Sequence, residues 1–200
     1  DPVGQQIPSR EIPSSWMNAV SVYGPVATAA EWSAAELGGT SLARITFWLK
    51  LEEAIAFGAV VLALDRLLRR DPEMRLRAHL LWSVNPLLLW EIVAGGHIDG
   101  LAVAFGLAGV AALRSRPAPG DGGPPPAVPA AGAALAGLLI GVATGIKVEY
   151  ALFGLAVAWA CRRSVRALAG AAAGFAVVIA PAYLAAGTAD TADADTVTGV

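Results

Sequence analysis

Two hundred residues would suit one soluble domain, but 56% hydrophobic and only 15% charged side chains exclude an ordinary one, where about 45–50% and 25% are usual. The net charge of -2 excludes a nucleic-acid partner held by a basic surface, and the single Cys161 excludes an intrachain disulfide and argues against a cysteine-based metal site. The apolar residues fall in long blocks separated by short basic or Pro/Gly-rich stretches, the pattern of a helical bundle in lipid.

In chain order, residues 1–22 are polar, punctuated by Pro2, Pro8 and Pro13, and carry Trp16; they read as a loop. The opening Asp1-Pro2 has neither an initiator Met nor a basic stretch followed by an apolar one. The expectation is a fragment without a signal peptide, lacking at least one upstream membrane segment. Tyr23-Gly24-Pro25 begins a helical pattern that ends near Gly38. At ~1.5 Å per residue it is too short to cross a ~30 Å hydrocarbon core, so residues 1–40 are expected to form an outer loop with an interfacial helix.

Residues 42–68 can span, although Arg44, Lys50, Glu52 and Glu53 crowd the first half. Lys50 and Glu53 are three apart and placed to pair on one face, with a substrate-facing role as the alternative. A basic loop through Arg69, Arg70, Arg75 and Arg77 follows, with His79 just beyond it as an ordinary interfacial side chain. A second span is expected from Ala78 to Ala94, kinked at Asn85-Pro86 where proline lacks an N–H, and a third from Asp99 to Leu113. Residues 114–129 form a Pro/Gly-rich flexible connector. The fourth span runs from Ala130 to Ile146, the fifth from Val148 to Ala160 and the sixth from Ala167 to Ala186, with Pro181 inside it. The fold class is therefore all-α: a polytopic transmembrane bundle of about six spans over residues 41–187, followed by a polar tail at 188–200.

The arginines orient this bundle. Arg66 to Arg77, Arg114 with Arg116, and Arg162 to Arg166 occupy alternate loops, which the positive-inside tendency assigns to the cytoplasm. The connector is then cytoplasmic and the tail outer. Trp16, Tyr23, Glu91, His97, Asp99, Lys147, Glu149 and Tyr150 all fall at or just below the outer face.

Lys147 is one of two lysines against twelve arginines, and it lies between two apolar spans where a charge is costly. A cation at that depth suits an anion such as a lipid-linked phosphate; equally, it could snorkel to the head groups from a helix end. For His97 and Asp99, Gly95-Gly96 could end one helix and Asp99 cap the next without any chemistry. His-x-Asp with no second histidine is a weak metal signal. No nucleophile elbow, phosphate-binding Gly-Lys-Ser/Thr loop or dinucleotide glycine pattern is present.

The run from Asn85-Pro86 through Glu91 to Gly95-Gly96-His97-Ile98-Asp99 resembles the Asn-Pro…Gly-x-His-x-Asp segment of bacterial polyprenol-phosphate-mannose-dependent mannosyltransferases, multi-span enzymes of the GT-C superfamily. Trp16 with Tyr23-Gly24-Pro25 resembles the end of that family's first large outer loop, and Gly145-Ile146-Lys147 its lysine entering a later span. The resemblance extends from about Trp16 to Gly187; this chain has Ile98 where the family commonly has Asn.

The resemblance implies a plasma-membrane enzyme, multi-pass with its site on the outer face. It would move a sugar, mannose above all, from a polyprenyl-phosphate donor to a cell-envelope glycan or glycolipid acceptor. Asp99 and His97 would be the catalytic pair that positions sugar or phosphate. Lys147, Tyr23, Glu91 and Tyr150 would contact substrate, with Lys147 on the donor phosphate and Tyr23 shaping the loop. The family's acid residue belongs to the first outer loop, close after the first span, a portion expected to be missing here or reduced to Asp1. No cofactor is assigned, and a divalent metal is compatible with the chemistry. Two other classes fit an apolar chain with polar groups at one surface: a transporter of lipid-linked glycans, and a non-catalytic membrane scaffold. The first calls for a polar path across the bilayer, which the spans after residue 78 lack. The second calls for no convergence of Lys147, His97 and Asp99.

Overall fold

Proline and glycine set most of the helix boundaries. The computed structural model describes residues 23–113 and 128–197, the side chains of 186–197 excepted. The expected loop with Trp16 and most of the 114–129 connector lie outside the described residues. Helix α1 (Pro25–Gly38) starts with proline at its first position, where the missing N–H costs nothing, and stops at Gly39 with φ 58°. Helix α2 (Leu42–Leu67) follows. Helix α3 (Pro72–Leu81) is capped by Asp71, whose side chain accepts from the Met74 N–H at 3.0 Å.

The expected second span does not form as one kinked helix. Asn85 accepts from the Leu87 N–H at 3.0 Å and donates from Nδ2 to the Leu81 carbonyl at 3.1 Å, so it closes α3 and opens its successor. Pro86, with no N–H to bridge the gap, completes the break. Helix α4 (Pro86–Leu88) widens into a π-helical stretch (Leu89–Ala94) that ends at Gly95-Gly96. Gly96 has φ 70°, a left-handed conformation that turns the chain into α5 (Asp99–Ala112). The segments on either side of this turn are bent by 108°. Helix α6 (Ala130–Ile146), a 3-10 turn (Val148–Ala151), α7 (Leu152–Cys161) and α8 (Val165–Val197) complete the order. The described residues are all-α, without a strand. The polar tail expected from 188 continues the α8 backbone as far as Val197.

Helix α6 is the centre of the fold. Ala133, Ala136, Ile140, Ala143 and Ile146 are buried along it, and its broadest packing is with α8. That contact is backbone on backbone. A Cβ on Gly137 would collide with the Ala171 carbonyl, and one on Gly174 with the Ala134 carbonyl. Small residues four apart permit such an approach, a packing mode common between helices in lipid.

Among the described residues, by length and composition, α8 alone, over Val165–Ala185, is long and apolar enough to cross a membrane, joined by the bent pair Pro86–Ala94 and Asp99–Ala112 if that counts as one span. Ala130–Ile146 and Val148–Cys161 are apolar but shorter. Of the six spans expected, one or two therefore meet that test. Only 6% of the α8 window is buried, unlike the core helix of a soluble protein. Leu152, Leu155, Trp159, Val165, Val177 and Leu184 stand exposed on α7 and α8.

Candidate functional site

Two glycines bring the ends of α1 and α6 together. The Gly24 N–H donates to the Ile146 carbonyl at 2.8 Å, and a Cβ on Gly24 would overlap the Gly145 carbonyl oxygen. A Cβ on Gly145 would in turn press on Val26 Cγ2 at 2.5 Å. Tyr23-Gly24-Pro25 and Gly145-Ile146-Lys147 thus form one joint. Beneath it Ala27, Ile98, Ala102 and Ile146 form a buried cluster, with Tyr23 and Tyr150 packed against its edge.

Lys147 interrupts the helical path with an extended backbone, φ -153° and ψ 126°. This releases its side chain from α6 and points it at the start of α5. Its Nζ donates to Asp99 Oδ1 at 3.1 Å and lies 3.2 Å from Glu149 Oε1. The Tyr150 hydroxyl donates to the same Asp99 oxygen at 2.9 Å. The Lys147 ammonium also lies 5.9 Å from the centroid of the Tyr23 ring, at the outer limit of a cation–π contact. Tyr150 is steadied by stacking on Phe153 at 6.3 Å, and Phe153 occupies the space left by Gly106 on α5. Four of the six residues singled out in the sequence, Asp99, Lys147, Tyr150 and Tyr23, therefore converge.

The hydrogen bond from Asp99 is the main cause that holds the Lys147 ammonium above its ordinary pKa, opposed by partial burial and aided by Glu149. The lysine is thus a cation throughout the neutral range. It does not simply snorkel at a helix end, because its charge is engaged by specific carboxylates.

His97 and Glu91 form a separate pair. His97 Nε2 lies 3.5 Å from Glu91 Oε2, an ion pair when the imidazole is protonated, and both side chains are about half exposed. Nor does Asp99 cap α5: Ile98 occupies the cap position and Asp99 is the first helical residue, its carboxylate turned to Lys147.

The α5 N-terminus is instead met by Glu53, which the sequence pattern paired with Lys50. No ion pair joins those two; the Lys50 stem lies beside Gly96. Glu53 is 2% exposed, and its carboxyl group faces the backbone amides of Leu101 and Gly100 at the helix start. Its Oε2 occupies the space a Cβ on Gly100 would need. Sequence reasoning placed Glu149 at the outer face without a role of its own and gave Glu53 to Lys50. The Lys147-x-Glu149 spacing could have suggested the first, whereas nothing local marks the second. Among the described residues, no group of three His, Cys, Asp or Glu side chains is arranged to hold a metal ion.

Residues 3–163 match the family described as Alpha-(1->6)-mannopyranosyltransferase, N-terminal domain. The chain belongs to this family. It is a mannosyltransferase that draws on a polyprenyl-phosphate mannose donor, as the Asn-Pro…Gly-x-His-x-Asp resemblance implied, and the transporter and scaffold alternatives give way. No curated protein and no solved structure matches the chain.

Proposed function

We propose that the mannosyltransferase binds the phosphate of its donor at Lys147 and transfers mannose to a cell-envelope glycan or glycolipid on the outer face of the plasma membrane. The observation that carries this reading is the Lys147 ammonium, held by Asp99 at the end of the apolar helix α6.

Charge counting indicates how a phosphate enters. Lys147 carries one positive charge and its two carboxylate partners two negative ones, so an added anion needs one carboxylate to withdraw. Glu149 is the one able to do so, because its side chain is 57% exposed and can turn into water. Asp99, 27% exposed and also held by Tyr150, stays and keeps the ammonium aimed.

In the transfer, an acceptor hydroxyl oxygen bonds to the anomeric carbon as the bond from that carbon to the phosphate oxygen breaks. The hydroxyl proton passes to a carboxylate, and the charge growing on the departing polyprenyl phosphate is met by Lys147. Asp99 and Tyr150 hold the lysine in place, and Tyr23 closes the loop over it. His97, steadied by Glu91, borders the bound sugar from the Gly95-Gly96 turn. The residues of the cluster offer Lys147 as the phosphate's counter-charge.

The membrane setting rests on the exposed apolar surface of α7 and α8, and on where the arginines lie. Beyond Glu53, α2 runs another 14 residues, or about 21 Å, before its basic end. Arg162, Arg163 and Arg166 sit at the α7–α8 turn, with the whole of α7 between them and Tyr150. A polytopic bundle with the cluster at the outer end fits both facts.

The test supplies the full-length enzyme in membranes with radiolabelled polyprenyl-phosphate-mannose and a mannan-type acceptor. Label should pass to the acceptor with the unmutated enzyme, and Lys147→Ala should slow transfer about 100- to 1000-fold, the scale of losing one preorganised partner of a developing charge. Wild-type turnover by the variant would remove Lys147 from the site.

A further inference from the structure

Beside the turn that leads into α5 lies a pocket of about 280 Å³, walled by Glu31 of α1, Glu52 and Glu53 of α2 and the backbone at Gly96, with Ile45, Leu49 and Ile98 as its apolar faces. Three carboxylates alone would be only a solvated acidic patch. Here, however, Glu53 is 2% exposed and its Oε2 is a buried acceptor without a hydrogen-bond partner. A buried carboxylate oxygen left unsatisfied is costly unless something donates to it. Its neighbours are amides at the helix start, and these leave Oε2 itself unpaired.

We infer that this pocket is the acceptor subsite, built for a neutral sugar residue whose hydroxyls donate to Glu53, Glu52 and Glu31. The inference rests on the transfer reaction proposed above and names the side from which its second substrate enters. Chemistry separates the two substrates. A phosphate is drawn to the Lys147 ammonium, whereas a polyol carries many O–H donors and no charge, and carboxyl oxygens accept from such donors. Size agrees. The volume lies just below the ~300–1,000 Å³ usual for drug-sized ligands, which suits one monosaccharide unit of a longer chain. Ile45, Leu49 and Ile98 supply the apolar surface that the C–H face of a sugar ring packs on. A shared cation is the wrong occupant, because these acids do not converge closely enough to hold a metal. The geometry also joins the two substrates, since Gly96 and Ile98 line the pocket and Asp99, the next residue, reaches Lys147.

The test uses the purified full-length enzyme and α-1→6-linked mannotriose as probe. Binding is measured by calorimetry without donor, and KM is measured for donor and acceptor separately. Glu52→Gln and Glu53→Gln should each weaken trisaccharide binding and raise acceptor KM about tenfold or more, while donor KM stays within twofold; Lys147→Ala should do the reverse. Glu31→Gln, at an exposed position, should shift acceptor KM about threefold in the same sense. If Glu53→Gln fails to fold, Glu52→Gln decides. Acceptor KM unchanged in Glu52→Gln, or donor and acceptor KM rising together, overturns the subsite while leaving the donor assignment intact. Trisaccharide binding that depends on Glu52, in an enzyme that transfers nothing, keeps the subsite and overturns the transfer reading. An unmutated enzyme that neither binds nor transfers overturns both.

Discussion

Two polar groups flank the Gly95-Gly96 turn, and they are built differently. Asp99, after the turn, reaches Lys147 and Tyr150, which lie 48 and 51 residues further along the chain. His97, inside it, reaches only back to Glu91. The Asp99 cluster is mostly shielded, with Lys147 23% and Asp99 27% exposed, whereas His97 and Glu91 are 51% and 52% exposed. The contrast teaches that proximity in a motif does not equalise roles. The glycine turn presents both residues, but only Asp99 lies where α5, α6 and the turn after α6 meet, and there the loss of water strengthens every charged contact.

The comparison breaks most sharply at Asp99. Asp99→Asn removes the carboxylate that aims Lys147 and should lower the transfer rate roughly 10- to 150-fold, the equivalent of about 1.5–3 kcal/mol for a hydrogen bond to a charged group. It should also act on pH. A lysine whose pKa is raised in the fold contributes stability that is complete below its unfolded value and is lost only as pH rises through the folded one. The largest cause raising Lys147 above its usual 10.5 is Asp99, so the contribution persists across the neutral range and fades in the alkaline limb. In Asp99→Asn that alkaline limb should begin at lower pH, read from thermal unfolding between about pH 8 and 11. An unshifted limb would mean that Asp99 does not hold the ammonium.

A smaller effect is expected at Tyr150. Tyr150→Phe keeps the ring stacked on Phe153 and deletes only the hydroxyl that donates to Asp99. Loss of one such bond, about 1–2 kcal/mol, should slow transfer roughly 5- to 30-fold. Because the phosphate contact is kept, the change should appear in kcat more than in donor KM. A rise confined to donor KM would place the hydroxyl on the substrate itself.

These residues also mark what the sequence made legible. Helix ends written in proline and glycine were readable in advance: Pro25, Gly38, Ile146 before the extended Lys147, and the turn at Gly96 all fall where local chemistry puts them. The break after Leu81 was only half readable. Pro86 announces a kink, but the full turn depends on Asn85 bonding in both directions, which a count of apolar residues does not register. Glu53 was illegible for a different reason. Its spacing from Lys50 fits a helical pair, and only the packing of α2 on α5 sends it to amides 47 and 48 residues away, at Gly100 and Leu101. The convergence of Tyr23, Asp99, Lys147 and Tyr150 was readable as a shared end of the bundle, whereas their hydrogen bonds were not.

The smallest effect is expected at His97, and it sharpens the comparison most finely. His97 and Glu91 face water on both sides of their contact, and exposed ion pairs contribute about 0–1 kcal/mol. His97→Ala should therefore slow transfer by no more than about fivefold, measured beside Asp99→Asn in the same membranes. The value of this variant lies in the ratio of the two. If the turn exists to hold Asp99, the gap between them should stay at an order of magnitude whatever acceptor is supplied. If His97 instead touches the incoming sugar, its effect should grow with acceptors that fill the site more completely, while the Asp99 effect stays constant. A His97 effect equal to that of Asp99 with every acceptor would erase the difference between the shielded cluster and the exposed pair, and would make the whole turn a single catalytic unit.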